Sequence, residues 1–406
     1  MLKQPTNLLF LFLFLGACGV EVQNESAETF SVPAGQGSIG PNLAKGPTGT
    51  IVLSWMEPYE TGHALRFSTL GTDTWEQARQ ITTGDNWFVN WADFPSVVPL
   101  NGATWAAHWL VSQPAGGYAY DVNISTSQDN GETWSDPFLP HTDGTPTEHG
   151  FVTLFPEDDG LGLVWLDGRK MVNEYDAADV TASGMTLRSV SVDDEGNLSN
   201  PALVDNLICD CCQTDVALTA EGPVAVYRDR TTEEVRDIYV ARRVDGKWQP
   251  GTRVAEDNWE IPACPVNGPI VRASGQYTAV TWFTAPNGRP QVKAAWSNDN
   301  GRTFSKPVLV HDESPLGHIG AVILANGDLL VAWHQRMDNG THLLVRRVAS
   351  TGALGEIHRI HEAENVFAFS VPQMALDRGR IAIVWTNSIE DAYSLDSIVV
   401  PVSNFN

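Results

Sequence analysis

A short run of β-forming residues that ends in an aromatic recurs seven times along this chain, closing on Trp55, Trp109, Trp165, Tyr227, Trp282, Trp333 and Trp385. Successive aromatics stand 54, 56, 62, 55, 51 and 52 residues apart. This period constrains the fold more than any other feature, because one repeat of that size makes a small sheet that cannot bury both its faces alone. Each run alternates or is wholly apolar, and a Gly, Asn or Asp turn precedes it. A shorter strand such as Pro95-Ser96-Val97-Val98 comes before each run, and in the first six repeats two more follow. Four-stranded units at this spacing predict an all-β fold, a β-propeller with seven blades by repeat count and six as the alternative. The seventh repeat ends at Asn406 one strand short. The segment Thr29-Phe30-Ser31-Val32-Pro33 can supply that outer strand and close the ring, so residues 29–406 read as a single domain.

Composition agrees and narrows the partners. Thirty-five Gly and 24 Pro suit turns far better than helix interiors. A net charge of −24 argues against nucleic acid, which requires clustered Lys and Arg, and against electrostatic adsorption to anionic lipid.

The first residues do not read as fold. Lys3 is followed by an apolar stretch, Leu8 to Leu15, and then by Gly16-Ala17-Cys18. That is a secretory signal over residues 1–17, too short to span a bilayer. Leu15-Gly16-Ala17-Cys18 resembles the bacterial lipobox, in which the cysteine is lipidated and becomes the new N-terminus. Cys18 is then the anchor, residues 18–28 a polar tether, and the expected location the outer membrane of a Gram-negative host.

Two repeats carry a sharper pattern. Ser127-Gln128-Asp129-Asn130-Gly131-Glu132-Thr133-Trp134 and Ser297-Asn298-Asp299-Asn300-Gly301-Arg302-Thr303-Phe304 both fit S-x-D-x-G-x-T-(W/F). The pattern resembles the Asp-box, or BNR repeat, of the sialidase superfamily. The resemblance implies a propeller with these turns between the third and fourth strands, away from the active face, and an activity on glycans.

Strand alternation then brings two kinds of loop to the other face: those joining one blade to the next, and those following each marker aromatic. The first kind contains Trp91 and Asp93; His141, Asp143, Glu148 and His149; Cys209, Cys211 and Cys212; Cys264 and Asn267; and His318. The second contains Glu57, Asp167 with Arg169, Arg228 with Asp229, and Arg336. Glycoside hydrolysis needs two carboxyl groups, or a tyrosine nucleophile in sialidase-type sites. The expected catalytic groups are therefore Asp93, Glu148 and Asp167, with Tyr120 or Tyr175 as the tyrosine and His149 to orient or replace an acid. Arg169, Arg228 and Arg336 would grip an anionic sugar, with Trp91, Asn267 and His318 lining the pocket. Ion pairing with neighbouring aspartates is the structural alternative for the arginines.

Four cysteines follow Cys18. A bridge from Cys264 to Cys209, Cys211 or Cys212 is expected, since these residues head consecutive blades. A thiophilic metal held by Cys209, Cys211, Cys212 and Cys264 is the alternative. The reading as a whole is a surface-anchored glycoside hydrolase, favoured over a glycan- or metal-binding propeller without catalysis, and no cofactor is required.

Overall fold

The computed structural model describes residues 28–171, 183–338, 340–363, 370–389 and 392–406. Cys18, the signal segment and Tyr175 lie outside the described residues. Seven antiparallel sheets follow one another in chain order, so the count is seven blades and not six. The innermost strands are Ile39–Lys45, Ser96–Pro99, His149–Glu157, Asp215–Thr219, Ile270–Ser274, Pro315–Ile323 and Gln373–Asp377. They ring a central cavity of about 630 Å³.

Each marker aromatic sits on the second strand of its blade, and all seven are buried. The core is divided accordingly. Seven apolar clusters occupy the seven interfaces between neighbouring blades. Sheet-on-sheet burial between blades, repeated around the ring, holds the fold.

Two blades depart from the regular four strands. In the second, Phe138 alone pairs with Ile124, because Pro137 and Pro140 flank it and cannot donate to a ladder. In the fourth, the outer strand is split into Lys247–Trp248 and Thr252–Arg253, on either side of Pro250.

Ring closure uses the N-terminal segment. Glu28–Thr29 pairs with Ala392–Pro401 as the outer strand of the last blade. Phe30 then inserts between the first and last blades with Trp55, Trp75, Val384 and Val399. Ser397 Oγ donates to the Phe30 carbonyl and accepts the Trp75 indole N–H at 2.9 Å.

The two S-x-D-x-G-x-T turns share one geometry. Asp129 accepts from the Thr133 amide at 2.8 Å and hydroxyl at 2.6 Å; Asp299 does the same with Thr303 at 2.9 and 2.6 Å. Gly131 and Gly301 take φ of 79° and 77°, which favours glycine. Both turns follow the third strand of their blades, on the face opposite the interblade linkers.

Truncating Phe30 tests the closure. Phe30→Ala is expected to lower the unfolding free energy by about 3–5 kcal/mol, read from urea denaturation at unchanged m-value. A variant as stable as the parent would mean that the ring closes without this segment.

Candidate functional site

The linker before the second blade, the start of that blade's third strand and the linker before the third blade meet on one face. Asp93, Tyr120 and Glu148 come from these three places. The Tyr120 phenol oxygen lies 2.9 Å from Asp93 Oδ2 and 2.7 Å from Glu148 Oε1. The Phe151 amide donates to Asp93 Oδ1 at 2.8 Å. Gly150 leaves the room: a Cβ there would overlap the Asp93 carboxylate and lie 2.9 Å from the phenol oxygen. Burial is graded, with Tyr120 1% and Asp93 4% exposed and Glu148 half-buried.

Burial raises the Asp93 pKa to about 7, against the lowering effect of the Phe151 amide and the Tyr120 hydroxyl. Burial, with the adjoining charges of Asp93 and Glu148, pushes the Tyr120 phenol well above its ordinary value. The phenol has one proton for two neighbouring carboxyl oxygens, so one carboxyl group holds a proton, and the raised pKa of Asp93 selects that one. Protonated Asp93 Oδ2 donates to the phenol oxygen, and the phenol donates to Glu148. The trio is thus a hydrogen-bonded relay from a buried acid to a partly exposed carboxylate.

A second cluster lies beside it. The His141 and His149 rings stack with centroids 4.0 Å apart and planes 5° from parallel. His141 faces Asp121 at 3.7 Å and Asp143 at 3.5 Å; His149 faces Asp121 at 3.7 Å and Asp143 at 3.2 Å. Burial, then the charge of His149, lowers His141 to about 4. Burial alone would raise Asp143, but the Thr145 hydroxyl, His149 and Arg169 hold it well below the usual carboxylate range. Asp167 is fully enclosed. It accepts the Trp165 indole N–H at 2.9 Å and both Arg169 Nε and Nη2 at 2.6 Å. Trp55 with Glu57 and Trp333 with Gln335 repeat the same indole-to-(i+2) bond on other blades. Asp167, expected among the catalytic groups, is therefore held as an anchor for its strand and is not exposed. His149, fully buried, orients this cluster and does not face solvent.

The expected arginine grip is not assembled. Arg169 is bound to Asp167 and, at 3.1 Å, to Asp143. Arg228 is enclosed within the wall, where it donates to the carbonyls of Arg236, Asn267 and Phe283 and lies over Trp259 at 4.9 Å. Arg336 is exposed on the sixth blade. Trp91, His318 and Asn267 do converge. The linker carrying Trp91 reaches the sixth blade, with the Trp91 ring 5.0 Å from that of His318, and the Ala92 carbonyl accepts from Gln213 at 2.8 Å. The Asn267 side chain accepts from the His318 amide at 2.7 Å. Ala92, Asp93, Phe151 and His318 line the cavity. Phe151 and His318 adopt φ of 51°, a costly conformation for such residues and one concentrated at functional sites.

Cys211 and Cys264 form a disulfide, which removes both as metal ligands; Cys209 and Cys212 are free and buried. Sequence reasoning missed Arg188, 3.6 Å from Asp167, and Asp121 between the histidines. Neither stands in a motif. Asp121 adjoins Tyr120 at the loop end of its strand, the one cue that could have drawn attention to it.

The sequence matches no protein-family model and no curated protein. Solved structures resemble it in fold. A polysaccharide lyase, Uly1, shares 10% identity at a TM-score of 0.52, covering 90% of each chain. A protein of unknown function from Dyadobacter fermentans shares 13% at 0.51, covering 93% of this chain and 98% of its own. The Hadza microbial sialidase Hz136 shares 14% at 0.50, covering 86% and 75%. At such identities the likeness is one of architecture.

The buried acid has a thermodynamic signature. With a folded pKa of about 7 against an ordinary 3.8, the folded chain keeps a proton that the unfolded chain releases. Its contribution to stability is therefore greatest below about pH 4 and declines as pH rises to about 7, by up to about 1.4 kcal/mol per unit. Denaturation across this range should show Asp93→Asn gaining on the parent as pH rises; parallel profiles would exclude a buried acid that titrates near neutrality.

Proposed function

We propose that the protein is a glycan-cleaving hydrolase whose reacting groups are Glu148, Tyr120 and Asp93. The relay from a buried acid that lines the central cavity to a half-buried carboxylate is the observation that carries this reading. Glu148, the least buried of the three, is the member assigned to meet the sugar. In cleavage the Glu148 carboxylate takes the Tyr120 phenol proton, Asp93 reprotonates the phenol, and Glu148 passes the proton it has gained to the departing glycosidic oxygen. The net transfer is from Asp93 to the leaving group. Water then adds to the sugar cation and returns its proton along the same path in reverse. The sialidase-type route, with Tyr120 as nucleophile and Glu148 as base, requires an anomeric carbon to reach a phenol that is 1% exposed, and so has less support.

The nearby arginines already hold aspartates or carbonyls, so the reading does not require an acidic sugar. The likeness in fold to a sialidase and a polysaccharide lyase supports a glycan as the substrate class. We also propose export and anchoring through a lipidated Cys18, for which loss of fatty-acid labelling in Cys18→Ser is the check.

A panel of neutral and acidic glycosides tests the activity. Sugar release is expected with kcat/KM falling as pH rises through about 7, because Asp93 must be protonated. Tyr120→Phe should lower kcat on the order of 10²-fold with KM little changed, since it cuts the relay. Release from no substrate, with glycan binding retained, would make the propeller a binding module.

A further inference from the structure

The candidate site uses neither Cys209 nor Cys212, the two cysteines left free by the Cys211–Cys264 bridge. They end a Cys209-Asp210-Cys211-Cys212 turn in the linker before the fourth blade, a C-x-x-C spacing. Their sulfurs are 2.7 Å apart, and the residues are 1% and 2% exposed. No atom fits between them, and a further approach of about 0.7 Å brings them to the S–S bond length of about 2.05 Å. The turn is built to keep them there. The Cys209 amide donates to the Arg228 carbonyl at 3.0 Å, and both Asp210 carboxylate oxygens accept from Arg230 Nη1 at 3.1 Å. Arg236 Nη1 lies 3.4 Å from the Cys209 sulfur, while its Nη2 is held by Glu234 at 2.9 Å. A guanidinium beside one sulfur of a C-x-x-C pair favours its thiolate, the nucleophile of disulfide exchange. Burial works against this, but the Cys212 thiol and the charges of Arg236 and Arg228 bring Cys209 to about 7; burial holds Cys212 well above its ordinary value.

We propose that Cys209 and Cys212 are a redox pair that closes to a second disulfide and braces the wall of the central cavity. The oxidant is itself a disulfide, of a small molecule or a protein. The Cys209 thiolate attacks it and releases the first donor thiol. Cys212 then attacks the Cys209 sulfur of the mixed disulfide, gives up its proton and releases the second. Two protein thiols become one S–S bond, one donor disulfide is reduced to two thiols, and the two protein protons end on those thiols. Because both sulfurs are buried, exchange takes place while the turn is open during folding, and the folded chain then shields the bond. What the bond fixes is the next residue, Gln213. Its side chain donates to the Ala92 carbonyl at 2.8 Å and accepts from the Gly268 amide at 3.0 Å, so it spans the linkers before the second and fifth blades. Ala92, Asp93, Gln213 and Gly268 all line the cavity, and the state of the pair therefore bears on the wall that holds Asp93.

Peptide mapping of the chain, refolded with oxidised glutathione and then alkylated in denaturant without reductant, tests the bond. Cys209 and Cys212 are expected to escape alkylation, to be lighter by two hydrogens together, and to yield no backbone fragments from between them. The double variant Cys211→Ser, Cys264→Ser isolates the pair and should lose both remaining thiols in the same way; if that variant does not fold, the wild-type map decides. Hydrogen exchange reads the brace. With Cys209→Ser and Cys212→Ser combined and the Cys211–Cys264 bridge intact, the Gly268 amide should exchange faster than in the wild type, on the order of tenfold. Wild-type protein of native circular dichroism in which Cys209 and Cys212 both alkylate after this treatment would overturn the proposal, as would a Gly268 amide equally protected in the two proteins.

Discussion

Every blade of this protein has two apolar faces and can bury neither by itself. The interaction on which all else depends is therefore the packing of one blade on the next, carried by the second-strand aromatics and closed by Phe30 between first and last. Each cluster is small, but the ring makes the clusters interdependent, because an open interface would expose two faces at once. The interior is spent on this packing, which leaves chemistry to the linkers at the rim.

Those linkers do more than connect. The one before the second blade carries Asp93 into the cavity wall and Trp91 to the sixth blade, so residues distant in sequence share one mouth. The surrounding structure enforces costly features here: positive φ at Phe151 and His318, and a carboxyl group shut away from water. Phe151 ties two of these together, since its strained backbone directs its amide at Asp93. Removal from water is what makes Asp93 an acid near neutrality, while Glu148 is less enclosed.

The architecture was legible because the period of the marker aromatics reports directly on an obligatory contact. Asp93 and Glu148 were legible for a related reason: strand alternation assigns interblade linkers to one face whatever their sequence. Side-chain direction was not. Asp167 and Arg169 have the composition of a catalytic pair, but the indole of Trp165 two positions earlier on the strand draws the carboxylate inward, as Trp55 does with Glu57. Arg228 turns into the wall because backbone carbonyls from the neighbouring blade meet it there, and spacing carries no trace of such partners. Arg188 lies on a strand with no local pattern and becomes visible only through the register that sets it near Asp167. Among the cysteines, position limited the bridge to Cys264 and one of three candidates, and the turn geometry selected Cys211.

The central claim is that Asp93 is a protonated acid, hydrogen-bonded to Tyr120, at pH values where an ordinary aspartate is ionised. Infrared difference spectroscopy of a pH titration observes that proton directly and needs no knowledge of the sugar. A protonated-carboxyl C=O band that persists at pH 5 to 6, disappears with a midpoint near 7 and is absent from Asp93→Asn is the predicted result. A spectrum in which no carboxyl group titrates above the ordinary aspartate range would contradict the account.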